Sequence, residues 1–315
     1  MCSLFGLIDY QNTLTTRQKN RILQVLSKEC EVRGTDATGI AYNFGGSIKV
    51  FKRPLAAHKL KFHVPNGVSV VMGHTRLATR GKPADNFNNH PWSTGTFALA
   101  HNGVLWNDRA LRQTENLPGT HIQTDSYVAV QLLEQAKILD FTTISTMAEK
   151  IQGSFVFTVL DRDDNLYFVR GDNPLAIFDF GGFYLYASTE EILRRAMRKL
   201  RLYHQEAVNT EEGAILKIDR TGQCSFAHFT PNHSMEHFRR NPRFRMLSWF
   251  NEVDEPEAID WQTDLLIQTA KSMGVSEDEV LALLDLGYDP CEIEELLYNP
   301  ALLHEAAAEL LYAYY

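Results

Sequence analysis

The sequence predicts an α+β protein, antiparallel sheets covered by helices over residues 2 to about 229, followed by a small C-terminal helical extension. Three observations carry this. Strand-like runs come first, helical patterns next and strand-like runs again, without the strict alternation of a parallel α/β fold. Short Gly, Asn or Asp turns separate the strand-like runs and favour antiparallel pairing. Beyond about residue 260 the hydrophobic period becomes wholly helical.

Leu4, Phe5, Gly6, Leu7 and Ile8 read as a buried strand that anchors the start of the chain in the core. Thr15 or Thr16 then caps a helix from Arg17 to about Val32, with Ile22, Leu23, Val25 and Leu26 spaced for one buried face. RGTDATGIAY, Arg33 to Tyr42, is turn-like and then strand-like, and Tyr42 to Phe51 reads as a hairpin around Gly45 and Gly46. Val68 to His74 and Thr96 to His101 are two further strands. The Gly-, Pro- and Asn-rich loop GKPADNFNNHPW between them is expected on the surface beside the site the strands build.

Thr124 and Asp125 precede a helix containing Val128, Val130, Leu132 and Leu133, and a second helix is expected near Ile144 to Ile151. From Ser154 to Phe229 the pattern returns to strands, FVFTVLD, LYFVRG, LAIFDF, FYLYAS and AILKID, interrupted by one helix from about Glu190 to Lys199. Residues 230–259 read as a linker, where the basic, irregular patch of His233, His237, Arg239, Arg240, Arg243 and Arg245 precedes an acidic one. Residues 260–315 read as a small helical bundle and a candidate docking module. Breaks are expected at Gly274 to Ser276, Gly287 to Pro290 and Asn299-Pro300, with Ser276 and Glu279 as a capping box and Asp289-Pro290 as a helix start.

A formal net charge of −8 with scattered Lys and Arg leaves no electrostatic footprint for nucleic acid. The start MCSLFGLIDYQN has no basic leader region, and Asp9 ends its apolar run too early for a signal peptide or membrane span, so a cytoplasmic location without membrane attachment is expected. Cys2, Cys30, Cys224 and Cys291 lie far apart, which argues for free thiols and against zinc or disulfides. His228, His233 and His237 have no carboxylate or cysteine framing them at ligand spacing, so neither metal nor cofactor is expected.

The chemistry centres on the second residue. With Met1 removed, Cys2 carries both a thiol nucleophile and a free α-amine that serves as its base. An N-terminal amine titrates at about 7.7–8.0 and a free thiol at about 8.5, so proton transfer between them is nearly balanced. Three further stretches bear on it. In GHTRLATRG, Gly73 to Gly81, the planar fork of Arg76 suits a carboxylate, although a surface salt bridge explains it equally. In AHNG, Ala100 to Gly103, the Asn102 amide and the Gly103 N–H in a turn offer two donors to one oxyanion, or form only an ordinary Asn-Gly turn. In TDSY, Asp125 either caps a helix or holds an ammonium.

Together, Cys2, RGTDATGIA, GHTRLATRG, AHNG and TDS resemble the glutaminase domain of class II glutamine amidotransferases, which are N-terminal nucleophile (Ntn) hydrolases. That family includes the amidotransferase halves of glucosamine-6-phosphate synthase and phosphoribosylpyrophosphate amidotransferase. The likeness extends through RGDNPL (Arg170 to Leu175) and YASTEE (Tyr186 to Glu191), covering roughly residues 2–229. It implies a four-layer αββα sandwich of two antiparallel sheets. It implies Cys2 as nucleophile, Asn102 and Gly103 as oxyanion hole, Arg76 for the glutamine α-carboxylate and Asp125 for its α-ammonium. Thr79 and His101 join the substrate-binding set by the same resemblance, and Arg33, Gly34 and Asp36 support the site; by their strand-end positions alone, His74 and His101 read as structural hydrogen-bonders. L-glutamine is the implied substrate, split to glutamate and ammonia through a Cys2 thioester.

The pattern departs from the family in places. Leu77 and Arg80 replace a tryptophan and a histidine of glucosamine-6-phosphate synthases, Ser126-Tyr127 replaces Thr-Glu, and Ser3 stands where Gly is usual. Some 85 residues after Phe229 hold no glycine-rich phosphate loop, so the ammonia acceptor is expected to be a separate enzyme. Two other readings stay open: an amidohydrolase of another amide, and a catalytically silent glutamine sensor or scaffold. The oligomeric state is open as well.

Overall fold

The computed structural model describes residues 2–203, 205–232 and 261–285, with residues 288, 293, 296, 297, 303, 304 and 307 beyond them. The chain divides into two compact units, Cys2–His237 and Phe238–Tyr315. In the first, β1 (Ser3–Ile8) is followed by α1 (Thr16–Glu29), β2 (Ala37–Phe44), β3 (Ser47–Arg53), β4 (Val70–Arg76), β5 (Trp92–Ser93) and β6 (Phe97–Leu105). Helices α2 (Asp108–Thr114), α3 (Tyr127–Ala136) and α4 (Phe141–Lys150) come next. Then follow β7 (Gly153–Asp161), β8 (Leu166–Arg170), β9 (Ala176–Asp179), β10 (Tyr184–Ala187), α5 (Glu190–Leu200), β11 (Glu206–Ala207), β12 (Ala214–Ile218) and β13 (Cys224–His228).

Two antiparallel sheets result. One has the order β11-β9-β10-β1-β4-β2-β3, the other β13-β12-β8-β7-β6-β5. Alternation along β1 explains how they stack. Leu4 and Ile8 point into the core between the sheets with Met72, Ala98, Val156 and Phe168, whereas Phe5 and Leu7 turn outward to Ile22, Leu23 and Leu26 of α1 and Ile192 and Leu193 of α5. On the far side, α3 and α4 lay Val128, Leu132, Ile144 and Met147 over Leu99, Phe155 and Phe157 of the second sheet. The architecture is therefore the expected four-layer αββα sandwich. At its centre Phe168 and Tyr186 meet edge-on with ring centroids 4.8 Å apart, each fully buried and worth roughly 1.5–3 kcal/mol of apolar transfer.

Thr15, not Thr16, caps α1, in a capping box with Gln18. The helix stops at Glu29 and its last turn, Cys30–Val32, tightens to a 3-10 turn, shorter than the expected run to Val32. The hairpin around Gly45 and Gly46 is longer than expected, its strands pairing from Phe44–Ser47 out to Thr38–Arg53. Asn102-Gly103 is not a turn. Both residues lie inside β6, paired with Val156 and Phe155. The loop expected at the surface is partly interior: Asn88, Asn89 and His90 are buried, because their side-chain amides replace water for the backbone, as in Asn89 Nδ2 to Pro83 O at 2.8 Å and Gln123 N to Asn88 Oδ1 at 2.8 Å. Helix α2 and strands β5, β11 and β13 were not expected; the first is a single seven-residue element and the others are too short or too polar to stand out.

In the second unit, α6 (Trp261–Ser272) and α7 (Glu277–Asp285) flank the break at Gly274. The Ser276 capping box is present, with Ser276 N donating to Glu279 Oε2 at 2.9 Å and Glu279 N to Ser276 Oγ at 3.3 Å. Leu266, Ile267, Ala270, Val280 and Leu283 give this unit an apolar core of its own. The linker patch from His233 onward, Asp289-Pro290 and Asn299-Pro300 lie outside the described residues. Among the described residues no helix is long and apolar enough to cross a membrane.

Candidate active site

Strand register sets the first edge of the site. In the β1–β4 pair Ser3 stands opposite Thr75 and Leu4 opposite His74, which brings Cys2, one residue before β1, level with Arg76. Cys2 Sγ lies 3.4 Å from the Leu77 carbonyl, and the Cys2 carbonyl accepts from Arg33 Nε at 2.9 Å. Burial pushes the Cys2 thiol pKa up, while the charges of Arg76 and Arg33 pull it down towards the thiolate.

The turn after α1 clamps the end of β4. Asp36 N donates to Arg76 O at 2.9 Å, and Ala78 N donates to Asp36 Oδ2 at 2.8 Å. Any side chain at Gly34 would place its Cβ 2.5 Å from the Arg76 carbonyl carbon, so the close approach needs glycine. The Arg76 guanidinium is buried; Nη1 donates to Asn89 Oδ1 at 2.7 Å and Nη2 to Gly81 O at 2.9 Å and to Arg80 O. Burial lowers its pKa, opposed by the negative charges of Cys2, Asp36 and Asp125. Arg80 itself reaches Asp108 at the start of α2, at 2.7 Å.

The second edge comes from β6. His74 Nε2 donates to the His101 carbonyl at 3.0 Å, tying one sheet to the other and fixing that imidazole tautomer. His101 lies 2.7 Å through Nδ1 from Ser126 Oγ and stacks on Phe157 at 4.6 Å. Burial lowers the pKa of His74 and His90 well below the usual range, helped by the Arg76 charge, and that of His101 to about 3, so all three rings are neutral.

Next along β6, Asn102 is 0% exposed, yet neither its Nδ2 nor its Oδ1 has a hydrogen-bond partner. An unpaired buried amide costs roughly 1–3 kcal/mol, which marks a donor kept for something else. Gly103 follows with φ +137°, and a Cβ there would sit 1.9 Å from Ser154 O. Asp125 closes the constellation. Its Oδ2 accepts from Leu105 N at 2.6 Å, so it holds the end of β6 and does not cap α3, whose N-cap is Ser126. Burial raises the Asp125 pKa, while the Leu105 amide and Arg80 lower it.

The stretch that contains Arg76 lies within the part of the chain that matches known proteins. Residues 74–195 match the family described as glutamine amidotransferase domain. These residues are a glutamine amidotransferase domain. The chain is homologous to the class II, or Ntn, glutamine amidotransferases. It is 30% identical over 238 residues to the glutamine-fructose-6-phosphate aminotransferase (isomerizing) of Staphylococcus aureus, covering 70% of this chain and 38% of that protein. To the enzyme of the same name from Helicobacter pylori it is 27% identical over 252 residues, 76% of this chain and 38% of the relative. The chain thus spans well under half the length of these relatives. The solved glutamine phosphoribosylpyrophosphate amidotransferase from B. subtilis, complexed with ADP and GMP, shares the fold with a TM-score of 0.56 and 21% identity, over 87% of this chain and 65% of that one. A structure described as the allosteric regulatory enzyme of purine biosynthesis gives a TM-score of 0.57 at 22% identity, over 73% and 50%.

Of the residues expected in the amidotransferase site, Cys2, Arg76, Arg33, Gly34 and Asp36 lie along one edge, and Asn102, Gly103 and Asp125 along the other. Thr79 is exposed in the bend after β4. His101, expected among the substrate contacts, is 1% exposed, with Nδ1 beside Ser126 Oγ and its ring stacked on Phe157. Asn89, which holds Arg76, was missed; its only signal was the polarity of a loop expected to be solvated. Cys2, Cys30 and Cys224 are free thiols, and among the described residues no three His, Cys, Asp or Glu side chains form a metal site.

Proposed function

We propose that the domain hydrolyses the side-chain amide of L-glutamine to glutamate and ammonia through a Cys2 thioester. The observation that carries this reading is the buried, unpartnered amide of Asn102 in β6, one residue after the His101 carbonyl that His74 of β4 reaches, and His74 stands opposite Leu4, two residues from Cys2. With Met1 removed, the α-amine of Cys2 takes the thiol proton and the thiolate attacks the amide carbon. Asn102 Nδ2 and the Gly103 N–H receive the resulting oxyanion. The amine returns its proton to the leaving nitrogen, the C–N bond breaks, and ammonia departs; water then adds to the thioester, releasing glutamate and the thiol. The neutral, buried histidines take no proton in this scheme. Arg76 pairs with the α-carboxylate and Asp125 with the α-ammonium, so a free amino acid is recognised at both ends. Thr79 lines the mouth. An acceptor outside residues 2–229 takes the ammonia.

The test uses protein whose mass shows Cys2 as its first residue. It should release equal amounts of glutamate and ammonia from glutamine, prefer glutamine to N-acyl amino acids, and lose turnover in Cys2→Ala. Folded protein with a free Cys2 amine that releases no glutamate would overturn the reading.

A further inference from the structure

We propose that Asn173 is a positioning residue that aims the Gly103 amide into the oxyanion hole. The inference rests on the glutaminase reading above and adds a residue that touches neither substrate nor nucleophile.

The argument begins with a single peptide unit. The carbonyl of Asn102 and the N–H of Gly103 belong to the same planar trans peptide, so they point in opposite directions. Whatever fixes the carbonyl therefore aims the amide, and to the ladder pairing of Asn102 with Val156 a side-chain donor is added. Asn173 Nδ2 donates to Asn102 O at 3.0 Å, and Asn173 is 1% exposed, so water does not compete for that carbonyl from its side. Partner strands leave the opposite direction open. Among the described residues β6 is flanked by β7 and β5, and β5 pairs with Ala98 and Leu99, short of Asn102. Phe155, opposite Gly103, uses its own amide on Asp172 Oδ1 at 3.0 Å and its carbonyl on Gly171 N at 3.0 Å.

Asn173 is itself held on both sides. Asp172 and Gly171 tie its loop to β7 through those two bonds, and Pro174 biases the Asn173 backbone away from the helical region. The lack of a side chain at position 103 lets Asn173 approach: a Cβ on Gly103 would lie 2.7 Å from Asn173 Nδ2 as well as against Ser154 O. Among the described residues Asn173 Oδ1 has no partner, and its side chain bonds to Asn102. The Asn102 amide and the Asn102–Gly103 peptide thus form one unit: the side chain is left unpaired for the ligand, and the main chain is pinned from behind.

The experiment compares glutamine turnover by the wild-type full-length chain with Cys2 exposed, by Asn173→Leu, which removes the donor at similar volume, and by Asn173→Ser, which leaves room for a water at the vacated donor. Misaiming one oxyanion donor should lower kcat about 10–100-fold, somewhat less than deleting one, with KM nearly unchanged because ground-state contacts survive. Asn173→Ser should recover part of the loss. A second readout is the aldehyde analogue of glutamate, in which the thiolate adds to the aldehyde carbon and the π pair moves onto oxygen. Its affinity should fall by the same factor as kcat, while glutamate affinity and the rate of Cys2 alkylation by iodoacetamide stay unchanged. A purely structural role would lower glutamate affinity, alkylation and melting temperature together, and that pattern overturns the proposal. Unchanged kcat in both variants does so too. A wild-type enzyme that releases no glutamate overturns the glutaminase reading and this inference with it, whereas active wild type with unaffected variants overturns this one alone.

Discussion

Two sets of buried polar groups, one just past β1 and one in β6, behave in opposite ways. Just past β1, Asp9 accepts from Thr13 N at 2.8 Å and Leu14 N at 3.2 Å and pairs with Lys19 Nζ at 2.8 Å, while Lys19 also donates to Val68 O at 2.6 Å. Neither side chain has a polar atom without a partner. In β6, Asn102 has neither amide atom paired, and His90, His101 and His74 keep ring nitrogens without partners. Burial alone does not distinguish the two places, since all these side chains are interior. Saturation does. The Asp9–Lys19 pair finishes its bonds within the fold, whereas the Asn102 amide leaves them unmade and the rest of the core offsets the cost.

Breaking each side should therefore cost different things. Cys2→Ala should reduce glutamine turnover on the order of 10⁴-fold or more without lowering the denaturation midpoint. Lys19→Met leaves Asp9 buried without its cation and should cost about 3–5 kcal/mol in urea unfolding, with turnover at 20 °C unchanged. Asn102→Ala should do the reverse, lowering kcat about 10²–10³-fold while the urea midpoint holds or rises, because an orphaned amide has gone. A stability loss there as large as at Lys19 would erase the contrast.

Acid sharpens the comparison further. His74, His90 and His101 are held neutral in the folded chain, with pKa values lowered by burial, whereas in the unfolded chain they protonate near 6.5. The unfolded state binds more protons below that value, so stability should fall as pH drops from about 7 towards 5. His101, lowered to about 3, contributes roughly 2 kcal/mol of that loss at pH 5. Replacing His90, the ring with neither nitrogen paired, by Phe should flatten the slope of urea stability against pH. The smallest effect is expected at Arg80→Ala: the half-exposed Arg80–Asp108 pair is worth at most about 1 kcal/mol, and melting should shift little.

Much of this was legible in the sequence because it rests on period and on short turns. The apolar run from Leu4 to Ile8, the Gly45-Gly46 hairpin and the Thr15 and Ser276 caps are local signals, and each appears where it was expected. What was not legible depends on contacts distant in sequence. Nothing near Asn102 told that it lies in a strand, because pairing with Val156 settles that. Asn89 looked like a solvated loop residue until Arg76 arrived from β4. Asn173 sat in a run notable only for its resemblance, and its bond to Asn102 joins residues 71 apart. No local signal singles out Lys19 in α1, yet it is buried against Asp9.

The strand order carries a timing consequence. β1 sits fourth of seven in its sheet, between β4 and β10, and β10 ends at Ala187. During synthesis one flank of β1 is therefore missing until that residue has left the ribosome, which takes on the order of ten seconds or more at about 5–20 residues per second. Throughout that interval the strand that follows Cys2 has one neighbour in its sheet in place of two.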